Sequence, residues 1–418
     1  EIEPDSEMEG LATALSRPSA SEKAATASLP DSPSTSAPVE RPLQRARRIE
    51  WSRKKTLAFA SLAALLVIAV LAMRSAEGRD TRTGVAGNAV VRGSKIPPSA
   101  AREEYLSGIN AWDDRSKEGN DKAVAHFRRA TELDPEYAEA WAQLAEAYVR
   151  IGYFGYRPAA AMFPKAKAAA LRSLQLDSTD ASARTALASG LMWEHDFAGA
   201  EAEYRKAIAF DPKSAIAHQW YGVLLMILRR IPEAVAQEKI ASDLEPLSLQ
   251  IQNNYATFVN VSGDHAGALR QFQKTIGEEP DTAWVRRNPW VLSNMARTYA
   301  DNGRYAEAVQ MMTRALEIAP GSPRAVHDMA VIYDEMGRRD LARRAFAGAD
   351  TSNDQYAAFR GMLYADQGSA DSAFLWFDRQ GTWGIQPMLA LQADRDVDPM
   401  RNDPRFGALL RRLGIPTH

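Results

Sequence analysis

Cysteine is absent from all 418 residues, and histidine is scarce, at six. Without cysteine there are no disulfides, no thiolate zinc sites and no cysteine nucleophiles, and the chain is indifferent to the redox poise of its compartment. The histidines (His126, His195, His218, His265, His327 and His418) form no H-E-x-x-H and no other close ligand pair. His218 stands at a packing position of its helix, where a satisfied core residue is expected rather than a ligand. Also lacking are G-x-x-x-x-G-K-[ST], G-x-G-x-x-G and G-x-S-x-G, which removes the common phosphate cradles and the nucleophile elbow. Asp113 and Asp114 are adjacent, but neighbours on a helix diverge by roughly 100° and cannot share a substrate. Nor is one charge in excess: 51 Lys and Arg face 53 Asp and Glu, a formal net charge of −2. That balance excludes a basic body wrapped in nucleic acid and an acidic solvating chain. The expectation is a non-enzyme with no cofactor, no catalytic residues and no metal site.

What is present is unevenly distributed. Between Pro18 and Glu40, 17 of 23 residues are Ser, Thr, Pro or Ala. Such a stretch buries too little apolar surface to offset chain entropy, so residues 18–50 read as a disordered linker with a basic end. From Thr56 to Met73 run 18 residues without a charge. As a helix they span about 27 Å, close to the hydrocarbon thickness of a bilayer. Trp51, Lys54 and Lys55 stand at one end and Arg74 at the other, so 51–74 is expected to be a transmembrane helix and 56–73 its contact with lipid. Seven basic residues from Arg41 to Lys55 precede the span against one acid, Glu50. The excess of positive charge assigns the N-terminal side to the cytoplasm and the C-terminal bulk to the outside of a bacterial inner membrane.

After a linker over 75–99 the chain becomes rich in Ala, Leu and Arg with helical spacing. Stops recur at Leu133-Asp134-Pro135, Leu176-Asp177-Ser178, Phe210-Asp211-Pro212, Leu244-Glu245-Pro246 and Glu278-Glu279-Pro280. From Ser178 to Pro212, Pro246 and Pro280 every step is 34 residues. A fixed period of that size marks a repeat array.

The pattern inside the period resembles the tetratricopeptide family. Trp141, Leu144, Ala145 and Tyr148 fill the first helix of one unit. Ala200, Tyr204, Ala207 and Pro212 fill the second helix of the next; Ala268, Phe272 and Pro280, then Tyr333, Gly337, Ala342, Phe346 and Ala349, follow. Small residues stand where two helices approach, an aromatic fills the space between pairs, and Gly263, Gly303, Gly337 and Gly368 supply tight turns. The resemblance implies an all-α fold: a right-handed superhelical solenoid of about eight helix pairs over 100–386. Extra residues are expected around 152–156 and 284–289, with a capping segment, 387–418, closing the array.

Further marks are Leu106-Ser107-Gly108 before Trp112, the run from Phe163 to Leu171, His218-Gln219-Trp220-Tyr221, and Asp403-Pro404-Arg405-Phe406 followed by Leu409 to Gly414. They resemble a bacterial subfamily whose arrays are joined to a winged-helix DNA-binding domain, a serine/threonine kinase or a nucleotide cyclase. Residues 1–11 resemble the closing helix of the bacterial transcriptional activator domain, so 1–17 read as the end of an upstream helical domain. The first residue is Glu1, which suggests that an output module precedes it, a transcriptional activator first, with a kinase or cyclase, or an envelope assembly scaffold with no output module, as the alternatives; any DNA contact belongs to the upstream module.

The function implied is binding of a protein or peptide partner in a groove lined by the first helices of successive units. The repeat register places Asn253, Thr257, Asn260, Ser293, Asn294, Arg297 and Arg324 on that lining, with His327 beside them. Amide side chains pair with a peptide backbone whatever its sequence. Capture of a free C-terminus is not expected, because Asn253 and Asp328 stand where that mode requires basic residues.

Overall fold

The computed structural model describes residues 97–113, 117–276, 288–347, 354–380 and 383–417. The expected end of an upstream domain (1–17), the linker 18–50, the membrane helix 51–74, the linker 75–99 up to residue 96, and the insertion at 284–287 lie outside the described residues. Among the described residues there is no strand, and no helix is long and apolar enough to cross a membrane.

Among the described residues eight antiparallel helix pairs follow one another: α1 (Ser99–Asp113) with α2 (Lys117–Leu133), α3 (Ala138–Tyr153) with α4 (Ala159–Leu176), α5 (Ala181–Trp193) with α6 (Phe197–Phe210), and α7 (Ala215–Ile227) with α8 (Ile231–Leu244). The next are α9 (Leu249–Val261) with α10 (His265–Ile276), α11 (Pro289–Asp301) with α12 (Tyr305–Ile318), α13 (Pro323–Glu335) with α14 (Arg339–Ala347), and α15 (Asp354–Asp366) with α16 (Ala370–Arg379). The chain closes with α17 (Ile385–Ala393), a 3-10 helix (Arg395–Met400) and α18 (Pro404–Arg412).

The repeated stops act as the spacing predicts. Helices end at Leu133, Leu176, Phe210 and Leu244, each one residue before the Asp or Glu of the motif. Asp134, Asp177 and Asp211 then accept from the backbone N–H two residues on, which turns the chain. Asp180, Asp196, Ser214, Asn288 and Ser322 cap the helices that follow, each accepting from the N–H three residues ahead. Within pairs, Gly263, Gly303, Gly337 and Gly368 all have positive φ, between 72° and 95°. At the same place in the third and fourth pairs stand His195 (φ 62°) and Arg229 (φ 56°), where a side chain is strained.

Packing follows the small-and-aromatic logic. Ala200, Ala207 and Tyr204 are fully buried in α6, and the Tyr204 hydroxyl lies 2.8 Å from Ser189 Oγ. A Cβ built on Gly108 would stand 2.5 Å from the Phe127 ring, so only glycine permits that approach. The extra residues near 152–156 lengthen the second pair, α3 to 16 and α4 to 18 residues, against 13 and 14 in the third.

Two large cores result. One runs from Ala123 to Phe258 and takes in Ala358 to Ile415; the other spans Ala256 to Leu363. A small cluster of Ala215, Ala241 and Ile251 packs the step between the fourth and fifth pairs. The closing segment, expected as a cap on the last pair, does pack on α15, and it also reaches back to α7. His195 Nε2 lies 3.1 Å from the Trp383 carbonyl, and Arg229 Nη1 donates to the Gln392 carbonyl at 2.7 Å. Among the described residues both non-glycine residues of positive φ therefore hold this segment or the residues leading into it. The segment has the apolar surface for that path: Val397, Met400, Phe406 and Leu409 are all buried.

Candidate functional site

First helices of adjacent pairs touch in succession, α3 with α5, α5 with α7, α9 with α11, α11 with α13 and α13 with α15. Their shared face is the inner surface of the array, and its two halves differ.

In the first half a cavity of about 190 Å³ opens between α1, α3, α7 and α9. Trp112, Arg150, Phe154, Gln219, Trp220 and Ile251 are among its walls. The Arg150 guanidinium sits 3.3 Å from the centroid of the Trp112 ring, a cation–π stack, and Tyr153 meets the Trp220 ring edge-on at 4.7 Å. Glu146 and Glu245 add negative charge at the rim. Indole faces suit an apolar side chain, and the Gln219 amide can pair with a peptide backbone.

In the second half the inner face meets the closing segment. Arg297 on α11 donates from Nη2 to Asp396 Oδ1 at 3.1 Å, with Glu335 at 3.8 Å. Burial opposes the Arg297 charge, but Asp396, Asp301 and Glu335 hold its pKa well above the usual value. Arg324 on α13 lies 2.9 Å from Asp328 and 2.8 Å from Asp394. Burial pushes the Asp328 carboxyl up, yet Arg324 first, then His327 and Arg297, hold it down at about 2. Arg395 bridges Asp301 at 2.7 Å and Glu335 at 2.6 Å.

The residues expected to line a groove are thus engaged within the chain. Asn294 donates to Asn253 Oδ1 at 3.4 Å, so these two are brought together. Thr257 Oγ1 donates to the Asn253 carbonyl in its own helix. Asn260 donates to Asp301 Oδ2 at 2.6 Å and faces His265 Nδ1 at 3.0 Å. Ser293 turns into the core against Met312, and His327 is fully buried. Arg297, Arg324 and His327 are the three that meet the closing segment. The cavity of the first half was not singled out by residue pattern, although Trp112 and the run from His218 to Tyr221 stand out in the sequence. His195 and Arg229, 34 residues apart where glycine otherwise recurs, were the local signal for the closing segment.

Residues 114–152, 185–246 and 299–365 match tetratricopeptide-repeat family models, so the chain carries tetratricopeptide repeats. Among curated relatives, cellulose synthase operon protein C of Xanthomonas axonopodis pv. citri (strain 306) is 29% identical over 150 residues, 34% of this chain and 10% of that protein. Photosystem I assembly protein Ycf3 of Synechococcus sp. (strain CC9605) is 26% identical over 117 residues, 28% of this chain and 52% of that protein. The chain spans a tenth of the first relative and about half of the second. Among solved structures, Pseudomonas aeruginosa PilF aligns with a TM-score of 0.40 at 23% identity, covering 54% of this chain and 97% of that one. Yeast Tom70 aligns with a TM-score of 0.42 at 15% identity, covering 78% and 70%.

Proposed function

We propose that this protein is an interaction scaffold that takes an extended peptide segment of a partner on the inner face of its first four to five helix pairs. The single observation behind this reading is the cavity walled by Trp112, Arg150, Gln219 and Trp220. It lies on first helices, where a repeat array presents an elongated surface, and it joins the Trp112 and Trp220 indoles to an amide. The second half serves a different purpose, since its inner face is occupied by the chain's own closing segment.

In the same reading, residues 56–73 anchor the protein in a bacterial plasma membrane, with the basic collar on the cytoplasmic side and the repeats outside. A cytoplasmic transcriptional activator module supplies the output, as the resemblance of residues 1–11 suggests. Any DNA contact is then made by that module, and the repeats carry no chemistry of their own.

A random peptide library selected on the full chain tests the cavity. Selected peptides should lose at least tenfold in affinity on Trp112→Ala and on Arg150→Ala; equal affinity in both variants would place the site elsewhere. Protease added to intact spheroplasts tests the topology, and full protection of the repeats would overturn the outward assignment.

A further inference from the structure

Where the closing segment crosses α13, three polar side chains converge from distant parts of the sequence. His327, Asp394 and Asp396 each bring a ligand atom within 4.8 Å of the other two. His327 is 0% exposed and Asp396 is 1% exposed.

The arrangement is specific at the level of atoms. His327 Nδ1 lies 3.1 Å from Asp328 Oδ1, so a proton on Nδ1 is donated to that carboxylate. The Nε2 lone pair then faces Asp396 Oδ2 at 3.5 Å. Both of these atoms are buried and neither has a hydrogen-bond partner. A lone pair turned on a carboxylate oxygen is repulsive, and burial strengthens that repulsion. A cation between them reverses its sign.

Distance separates the two kinds of cation that fit. An N–H···O bond to a carboxylate is about 2.8 Å long. Two ligands held tetrahedrally at about 2.0–2.1 Å from a zinc ion stand about 3.3 Å apart. The observed 3.5 Å is nearer the second value. Asp328 matches the carboxylate that ordinarily fixes the tautomer of a metal-bound histidine. Arginines hold the aspartates as well: Arg297 reaches Asp396 Oδ1 at 3.1 Å, while Arg324 donates to Asp394 Oδ1 at 3.3 Å and pairs with its Oδ2 at 2.8 Å, and each carboxylate keeps lone pairs for a cation beside them. Asp328 and Glu335 offset the charge of those arginines.

We propose that His327, Asp394 and Asp396 form a site for a divalent transition-metal cation, zinc foremost, bound by the histidine Nε2 and one oxygen of each aspartate. One imidazole with two carboxylates suits zinc, whereas calcium takes six to eight oxygens and magnesium keeps most of its waters. The aspartates belong to the closing segment and the histidine to the repeats. An ion here therefore fastens that segment to the inner face of the second half.

The test uses the full chain, stripped with a chelator, dialysed and titrated calorimetrically with Zn²⁺ alone, with Mn²⁺ and Ca²⁺ in parallel. One Zn²⁺ per chain is expected, with affinity at least tenfold weaker in His327→Gln and in Asp396→Asn. The glutamine keeps an amide donor for Asp328, and the asparagine keeps the shape of the aspartate. Proteolytic cleavage within 395–403 should slow when zinc is present and be unaffected by it in either variant. A folded chain that binds no Zn²⁺, binds it equally in both variants, or prefers Ca²⁺ overturns the proposal. Should a variant fail to fold, as circular dichroism would reveal, the Co²⁺ absorption of the parent chain decides. An intense tetrahedral band supports the site, and a weak octahedral spectrum overturns it.

Discussion

The two halves of the array are built from the same helix pair, yet their inner faces have opposite characters. From α1 to α9 the lining sets Trp112, Trp220 and Gln219 beside Arg150, Glu146 and Glu245, and it encloses a cavity. From α11 to α15 it is ionic, with Arg297 and Arg324 matched to Asp396 and Asp394 of the closing segment. A repeat fold specifies how pairs stack and leaves the lining of the inner face open, so one half can bind a partner while the other binds its own chain. The difference lies in the side chains on the first helices, because the backbone pattern is common to both.

The largest way to break the contrast is Arg297→Met, which leaves Asp396 buried without the arginine paired to it and leaves Asp301 and Glu335 with Arg395 alone. A loss of about 3–5 kcal/mol is expected from removing one partner of a buried ion cluster. Urea unfolding followed by hydrogen exchange should show the loss in the second half, with the amides of α1 to α7 exchanging last. Next is Ile251→Ala at the step between the halves, where the small cluster has few side chains able to close a cavity. A loss of about 2–4 kcal/mol is expected, and a single calorimetric transition should split in two.

Glu238 in α8 gives a pH test confined to the first half. Both its carboxyl oxygens are buried without a hydrogen-bond partner, and burial raises its pKa well above the usual value. The folded state therefore holds a proton that the unfolded state releases above its own pKa near 4.5. Stability must fall as pH rises from there towards the folded-state pKa, at about 1.4 kcal/mol per pH unit. Glu238→Gln should flatten that slope; an unchanged profile would show that the carboxyl does not carry it.

The smallest effects compare turns. Gly303→Ala, at φ 74°, should cost about 1 kcal/mol. His195→Gly relieves the same kind of strain but gives up the bond to the Trp383 carbonyl, so thermal unfolding should change by less than about 1 kcal/mol. If His195→Gly stabilises by the full amount that Gly303→Ala costs, the closing segment gains nothing from that residue.

Much of the fold was legible because a solenoid is made of near-neighbour contacts. Each stop, cap and turn is written within a few residues, and the 34-residue period repeats the message. Asp211, Tyr204 and Gly263 could each be given a role before any coordinate was known. The candidate site was less legible. Asn253, Asn260, Arg297 and Arg324 lie on first helices as the register implied, but each is engaged inside the chain. No local pattern says whether a polar side chain on an inner face meets water, a partner or the chain itself.

From its sequence alone, then, this protein is an array of about eight tetratricopeptide-like helix pairs, because helix ends and pair packing depend on residues close in the chain. Only the tertiary structure decided where the closing segment lies. Its bonds join His195 to Trp383, Arg297 to Asp396 and Arg324 to Asp394, across 188, 99 and 70 residues. Contacts over such separations arise once each, so apart from the side chains at His195 and Arg229 in place of the recurrent glycine they leave no pattern in the sequence to read.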